Sequence, residues 1–279
     1  MKIVVVSSYP LVDNHYYKKL FLKGLVERSN KISEIVLVYG NTHPKDYYRE
    51  IRRRVGLSEA FKKLRLNKGQ VKQKKGKKLT DKRQNYLYSD SHQSNSIEHT
   101  GSLAKFAKTL GISVKKFPKL KSANCLEFLK GYSPDVIHNV SSLYIPREVL
   151  NIPKHGVIGS HYGLLPQLRG GDTIRWSILL DVPLLVCHLF LTPSLDMGDV
   201  INKETVSVHK GDSIDGLRHK CQIANTNGQL KVFDKLLDGS ITRTPQIKSE
   251  GSTFYQMGRL LRKKVDRILA ENLYSHYTS

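Results

Sequence analysis

The chain has 279 residues, of which 39% are hydrophobic and 8% aromatic. This composition is that of a globular protein and excludes a disordered or fibrous one, and the length allows either one large domain with an appendage or two small domains. The net charge of +22 raises the expectation of an anionic partner such as nucleic acid, anionic lipid or a phosphorylated small molecule.

Cysteine spacing and the length of apolar runs indicate the cellular compartment of the protein. The three cysteines are far apart and odd in number (Cys125, Cys187 and Cys221), so we predict neither a disulfide framework nor a clustered metal site. No run reaches about 18 uninterrupted apolar residues, and the apolar start is too short for a secretory signal. We therefore expect a cytoplasmic protein without a membrane span.

The first elements along the chain predict a β-α-β unit followed by an insertion. Residues 2–6 and 34–39 are β-branched apolar runs, and apolar residues between 16 and 26 recur at helical spacing. Residues 47–64 have a basic, helix-like pattern, and a segment at about 65–95 has almost nothing to bury. We interpret this segment as a loose, basic, flexible insertion.

The charge is concentrated around this insertion. Residues 52–83 contain 14 Lys or Arg against two acidic residues. This segment therefore carries more than half of the net positive charge of the chain. Such a run is ordinarily a solvated segment, and the other interpretation is electrostatic attraction of a nucleotide-linked substrate, RNA or an acidic protein.

The next segments predict the central strands. A helix over 103–110, a strand over 112–117 and a helix that begins at the Ser122 cap lead to two apolar runs, residues 134–140 and 156–161. A Pro-marked crossover, residues 145–152, separates these runs, which favours parallel pairing in a buried sheet. Ligands bind outside the carboxyl ends of such strands, so we expect one site to be lined by Asn139, Ser141, Gly159 and His161.

The remaining pattern completes an open, mostly parallel twisted α/β sheet flanked by helices. An irregular segment at 162–171 precedes a helix at 172–180 capped by Asp172 or Thr173, and strands at 184–192 and 200–208 bracket a turn. Helical patterns at 212–237 and 253–269 flank a short extended piece at 242–247. We predict a catalytic domain over 1–208 and a mainly helical C-terminal extension over 209–279.

Two motifs carry a family resemblance. The first is GVIGSHYGLLPQLRGGDTIRW over residues 156–176, and the second, about twenty residues beyond its end, is LDMGDVI over 195–201. Here the chain resembles the folate-dependent formyltransferases, in which a strand ends in Asn-x-His and continues into Leu-Leu-Pro. An Arg-Gly pair follows in the branch that acts on aminoacyl or amino-sugar substrates, and Leu-Asp-x-Gly-x-Ile supplies an aspartate. The resemblance implies a Rossmann-like formyltransferase fold.

The resemblance also implies a mechanism. An amine attacks the formyl carbonyl of 10-formyltetrahydrofolate, and donors must meet the oxyanion that develops. His161 matches the family histidine, which exchanges a proton near neutral pH. Asp196 matches the family aspartate, which orients the imidazole and favours its charged form. The family asparagine falls on Gly159, so Asn139, or backbone N–H groups and water, would have to replace the missing oxyanion donor.

Further contacts follow from the resemblance. Arg169, Gly170 and Tyr162 are expected to bind the acceptor, with the Arg169 guanidinium suited to a carboxylate or phosphate. The formyl donor is expected to contact a second set of residues, namely Ser141, Leu143, Leu165, Pro166, Leu195 and Gly198. A structural role competes with each assignment, because Asp196 also suits a turn and His161 also suits a buried strand end.

Several acceptors and functions stay open. The mainly helical pattern after Ile201 leaves little room for the C-terminal barrel of the tRNA enzymes, which favours a small amine such as a nucleotide-linked amino sugar. Methionyl-tRNA is the second candidate. The other possibilities are a formyltransferase fold that has lost catalysis and binds RNA or another polyanion, and an enzyme that hydrolyses the formyl donor.

Overall fold

The structure, a computed structural model, describes residues 1–8, 16–28, 30–40, 101–141 and 143–278. The predicted insertion at about 65–95, the cationic run over 52–83 and the helix expected over 47–64 lie outside the described residues.

In the described residues, seven strands form the main sheet and two form a small second sheet. The strands in chain order are β1 (Lys2–Ser8), β2 (Glu34–Gly40), β3 (Ser113–Lys116), β4 (Val136–Asn139), β5 (Val157–His161), β6 (Leu168–Gly170), β7 (Leu185–Phe190), β8 (Val200–Thr205) and β9 (Ser252–Phe254). The main sheet has the order β3-β2-β1-β4-β5-β7-β8. Neighbouring strands from β3 to β5 are parallel, and β7 and β8 join antiparallel. The predicted mostly parallel sheet is confirmed.

Seven α-helices lie in the described ranges, together with a 3-10 helix over Lys248–Glu250. The α-helices are α1 (Tyr16–Val26), α2 (Leu103–Thr109), α3 (Ala123–Tyr132), α4 (Arg147–Leu150), α5 (Thr173–Leu179), α6 (Ile214–Leu237) and α7 (Arg259–Ala270). The cap predictions were only partly right. Ser122 and Asp172 stand at the N-caps of α3 and α5, but neither side chain makes a cap hydrogen bond. The Ser122 hydroxyl donates to the Lys119 carbonyl instead.

The two faces of the sheet bury separate apolar clusters. In β4 and β5, Ile137 and Val157 pack in one cluster with α3, while Val136 and Ile158 pack in the other with α1 and α6. Helix α6 contributes Phe233 to this second cluster. The predicted boundary at residue 208 therefore does not divide the hydrophobic core.

A second small sheet replaces part of the segment that we predicted to be irregular. β6 pairs in parallel with β9, with Arg169 opposite Thr253. The C-terminal helix begins at Arg259 rather than at residue 253, because β9 occupies the first part of the predicted helix. The extended piece expected at 242–247 makes one isolated bridge, in which Thr244 and Val200 exchange backbone hydrogen bonds of 2.9 Å.

The described ranges contain neither a membrane-spanning helix nor a metal-binding cluster. None of the helices there is long and apolar enough to cross a membrane. Likewise, the described residues include no group of three or more His, Cys, Asp or Glu side chains arranged to bind a metal ion.

Candidate active site

The predicted site residues lie on one face of two neighbouring strands. Asn139 ends β4 and His161 ends β5, and these strands run in parallel. Side chains alternate between the two faces of a strand, so Asn139, Gly159 and His161 share the face of Ile137 and Val157. This face lies opposite α1 and α6.

Both ring nitrogens of His161 face hydrogen-bond acceptors. The side chain is 6% exposed, and its Nδ1 lies 3.4 Å from Oδ2 of Asp196. Its Nε2 lies 2.7 Å from the carbonyl oxygen of Leu168 at the start of β6. A carbonyl oxygen only accepts, so the Nε2 contact places a proton on Nε2, and Nδ1 faces the Asp196 carboxylate.

Asp196 lies in the connection between β7 and β8, which folds back along β5. Its φ of 53° is positive, a conformation that asparagine and aspartate adopt more readily than most residues. Its Oδ2 also accepts a 2.8 Å hydrogen bond from the backbone N–H of Gly170. Gly170 has a φ of 94°, and a Cβ there would overlap the Phe254 carbonyl oxygen, so this close approach requires glycine. Asp196 thus joins β5 to the small sheet.

The Asn139 carboxamide is held by its own loop. Its Nδ2 donates to the Leu143 carbonyl at 2.9 Å, and its Oδ1 accepts from the N–H and hydroxyl of Ser141 at 3.1 and 2.8 Å. The Ser141 hydroxyl in turn accepts from the Leu143 N–H. This geometry differs from the oxyanion role predicted for Asn139, because local hydrogen bonds take up its carbonyl oxygen and one of its two N–H donors.

A leucine occupies the space beside Gly159. A Cβ placed on Gly159 would lie 2.7 Å from Cδ2 and 3.0 Å from Cγ of Leu191. An asparagine at this position would therefore require the Leu191 side chain to move. Gly159 lacks the carboxamide of the family asparagine, and the Leu191 side chain fills the space beside it.

Arg169 has main-chain partners where a substrate contact was expected. The residue is 4% exposed, and its guanidinium donates to the carbonyls of Pro166 at 3.1 Å and Lys248 at 3.0 Å, and also to that of Gly251. A fork of donors is well suited to several carbonyls. Arg169 thus attaches the segment before β9 to β6.

Tyr162 also faces away from His161. Its hydroxyl accepts a 3.4 Å hydrogen bond from Asn225 of α6, and its carbonyl accepts one from the Thr173 hydroxyl. Burial raises the pKa of the Tyr162 phenol, so the hydroxyl is neutral at physiological pH. The structure places Tyr162 in the packing between β5 and α6 rather than beside the predicted acceptor.

The residues predicted to contact the formyl donor divide into two groups. Leu165 is fully buried against Cys187 and Leu189, and Gly198 is so close to the Phe190 carbonyl that no side chain fits there. In contrast, Leu195 is 60% exposed beside Asp196. Leu143 is half-buried in the Asn139 loop, where Ser141 also lies, and Pro166 is half-buried as well.

The contacts of two side chains at the site, Gln246 and Lys203, were not predicted from the sequence. The side chain of Gln246 donates to the carbonyls of Asp196 and Gly198, and Lys203 donates to the Leu165 carbonyl at 3.0 Å. Gln246 lies far along the chain in a segment without a motif, so no local signal marked it.

The protein is of the α/β class, with a seven-stranded sheet and a His161–Asp196 pair beside one of the central parallel strands. A family profile described as formyl transferase matches residues 27–233. The chain belongs to the formyl transferase family.

Sequence relatives match about half of the chain. The methionyl-tRNA formyltransferase of Macrococcus caseolyticus is 34% identical over 148 residues, which are 52% of this chain and 48% of that protein. The methionyl-tRNA formyltransferase of Clostridium botulinum is 33% identical over 160 residues, covering 56% of this chain and 50% of that protein. The chain thus spans about half the length of these relatives.

Solved structures share the fold over almost the whole chain. A sugar N-formyltransferase from a Shewanella species is 12% identical with a TM-score of 0.57, covering 97% of this chain and 87% of that one. Glycinamide ribonucleotide transformylase 1 from Symbiobacterium toebii is 14% identical with a TM-score of 0.56, covering 88% and 93%. At these identities the similarity is one of fold.

Proposed function

We propose that this protein transfers a formyl group from 10-formyltetrahydrofolate to the primary amine of a small metabolite, with a nucleotide-linked amino sugar as the acceptor. The observation that carries the proposal is the His161–Asp196 pair, 3.4 Å apart beside a central parallel strand. Membership of the formyl transferase family supplies the reaction class.

The side chains of the pair have separate tasks in this proposal. The donor, when bound, supplies an activated formyl group, and the acceptor amine has to lose a proton as it becomes an amide. Asp196 keeps the imidazole of His161 oriented and charged, and takes part in carrying that proton away. The imidazolium contributes positive charge where negative charge develops on the formyl oxygen.

The surroundings of His161 set a requirement on this mechanism. The Nε2 atom is occupied by the Leu168 carbonyl at 2.7 Å, and Gly159 offers no carboxamide. Direct donation from Nε2 to an oxyanion therefore requires β6 to shift away from His161. Without such a shift, the ring acts through its charge alone and catalysis is weaker.

The fold of the C-terminal region supports a small acceptor. The described residues after 208 form α6, the short strand β9 and α7, and α6 packs against the sheet. The similarity in fold to a sugar N-formyltransferase over 97% of this chain agrees with an amino-sugar acceptor.

Methionyl-tRNA is the second candidate because of a basic surface on α7. Arg259, Lys263, Lys264 and Arg267 are exposed on this helix, and such a surface suits phosphate contacts. The relatives with 33–34% identity are methionyl-tRNA formyltransferases. An RNA acceptor would give transfer that weakens steeply with added salt.

An acceptor panel tests the proposal. Purified protein is incubated with 10-formyltetrahydrofolate and either nucleotide-linked amino sugars or methionyl-tRNA, and both formylated product and free formate are measured. We expect a formylated amino sugar, and formyl-methionyl-tRNA would transfer the assignment to the second candidate. Formate without formylated product would indicate hydrolysis of the donor. Absence of turnover together with absence of folate binding would refute the enzyme and leave a polyanion-binding protein.

A further inference from the structure

The Gln246 side chain holds the two carbonyls that flank the reacting loop. Its Nε2 donates to the carbonyl oxygen of Asp196 at 2.9 Å and to that of Gly198 at 2.6 Å. Carbonyl oxygens only accept, so the amide nitrogen has to face them. Gln246 lies beyond residue 233, where the match to the family profile ends.

The Asp196 loop has few other hydrogen bonds to fix it. Asp196 has a positive φ of 53° and follows Leu195, which is 60% exposed. The Met197 N–H reaches the Ser194 carbonyl only at 3.4 Å. The Gly170 N–H holds the carboxylate but not the backbone of the loop. At the edges of the loop, the Phe190 N–H donates to the Asp199 carbonyl at 3.0 Å and the Thr192 hydroxyl donates to the Ser194 carbonyl at 3.1 Å. Gln246 therefore supplies the restraint on the two carbonyls next to the carboxylate, those of Asp196 and Gly198.

The segment that carries Gln246 is itself anchored on both sides. Before it, Thr244 exchanges two 2.9 Å backbone hydrogen bonds with Val200. After it, the buried Arg169 guanidinium donates to the carbonyls of Lys248 and Gly251. Because both ends are attached, Gln246 is a fixed donor rather than a mobile surface side chain.

We propose that Gln246 is a positioning residue, which holds Asp196 at the distance from His161 that the reaction needs. It acts through Asp196 and does not touch the substrates. This inference deepens the proposed formyl transfer and rests on it. A C-terminal segment outside the matched family region thereby completes the catalytic centre.

Three variants of the full chain test the inference. Gln246→Glu has the same shape, but its carboxylate faces two carbonyls and cannot donate to them. Gln246→Ala removes the side chain. Gln256→Ala is the matched control, because Gln256 is an exposed glutamine of the same C-terminal region.

Two readouts separate positioning from general destabilisation, provided that kcat is calculated per folded protein for each variant. We expect Gln246→Glu and Gln246→Ala to lower kcat about tenfold or more, while KM for 10-formyltetrahydrofolate changes less than about twofold. We also expect amide hydrogen exchange at Gly170, whose N–H binds Asp196, to accelerate about tenfold. The Gln256→Ala control should match the wild type in both measurements.

The two readouts also separate the inference from the proposed function. A Gln246→Glu protein with wild-type kcat, or with unchanged exchange at Gly170, would overturn the positioning role. A raised KM at unchanged kcat would likewise overturn it, since that pattern marks lost substrate binding rather than lost positioning. If no form of the protein transfers formyl groups, the proposed function fails and the Gly170 exchange alone decides whether Gln246 positions Asp196.

Discussion

The steric pairing of Gly159 with Leu191 leads to a quantitative prediction. A Cβ at 159 would lie 2.7 Å from Leu191 Cδ2, closer than two carbon atoms pack. The backbone of Gly159 is that of an ordinary strand, so Gly159→Ala costs stability only through this overlap. Overpacking costs about 1–3 kcal/mol, and removing the glycine returns about 0.5–1 kcal/mol. We expect Gly159→Ala to destabilise the protein by up to about 2.5 kcal/mol.

A double-mutant cycle isolates the contact. Leu191→Ala alone should cost about 2 kcal/mol, the low end for a leucine, because this side chain is only half-buried. In that background the new methyl group at 159 has room. The double variant should therefore be more stable than the sum of the single changes predicts, by about 1 kcal/mol or more. Urea unfolding of the four proteins measures the free energies.

A helical glycine provides the control for this cycle. Gly131 lies in α3, and a Cβ there would meet nothing within 4 Å in the described structure. Gly131→Ala should stabilise the protein by about 0.5–1 kcal/mol. If Gly159→Ala and Leu191→Ala are additive within about 0.5 kcal/mol, Leu191 does not occupy the space beside Gly159 and the reasoning is refuted.

Two further predictions concern buried polar side chains. Burial, with a smaller contribution from His188, lowers the pKa of His138 to about 3. Between about pH 6.5 and 3, His138 is therefore protonated in the unfolded chain and neutral in the folded chain. The free energy of unfolding falls with falling pH in this range, by up to about 1.4 kcal/mol per pH unit. His138→Leu should reduce this slope in urea unfolding at pH 5 to 6.5, and an unchanged slope would contradict the assignment. Arg169→Lys should lower Tm by about 5 °C or more, because one ammonium cannot replace the fork on three carbonyls. A normal Tm with a tenfold higher acceptor KM would restore the predicted substrate contact.

The sequence predicted the sheet because its central strands are unusually clear. β4 and β5 each begin with apolar residues on both faces (Val136 and Ile137, Val157 and Ile158) and are buried almost throughout, as expected for central parallel strands. The same clarity allowed His161 to be placed at a strand end. Only the family motifs indicated that His161 lies close to Asp196. The local pattern does not show that the 191–199 connection folds back along β5.

The contacts of Arg169 and Gln246 were beyond sequence reasoning for a different reason. The guanidinium of Arg169 binds carbonyls 79 and 82 residues away, and main-chain acceptors leave no mark in the side-chain pattern. β9 is a strand of three residues, too short to show alternation. Its pairing with β6 buries Arg169, which the motif alone had placed beside the acceptor.

The Asp196→Asn variant tests the central claim most directly, because it keeps the shape of the side chain and removes its charge. The measurement is the rate of formyl transfer from 10-formyltetrahydrofolate to the acceptor found in the panel, together with the affinity for the donor. If the His161–Asp196 pair is the reacting centre, kcat should fall about a hundredfold or more while donor affinity stays within about threefold of wild type. A transfer rate within about threefold of wild type would contradict the account.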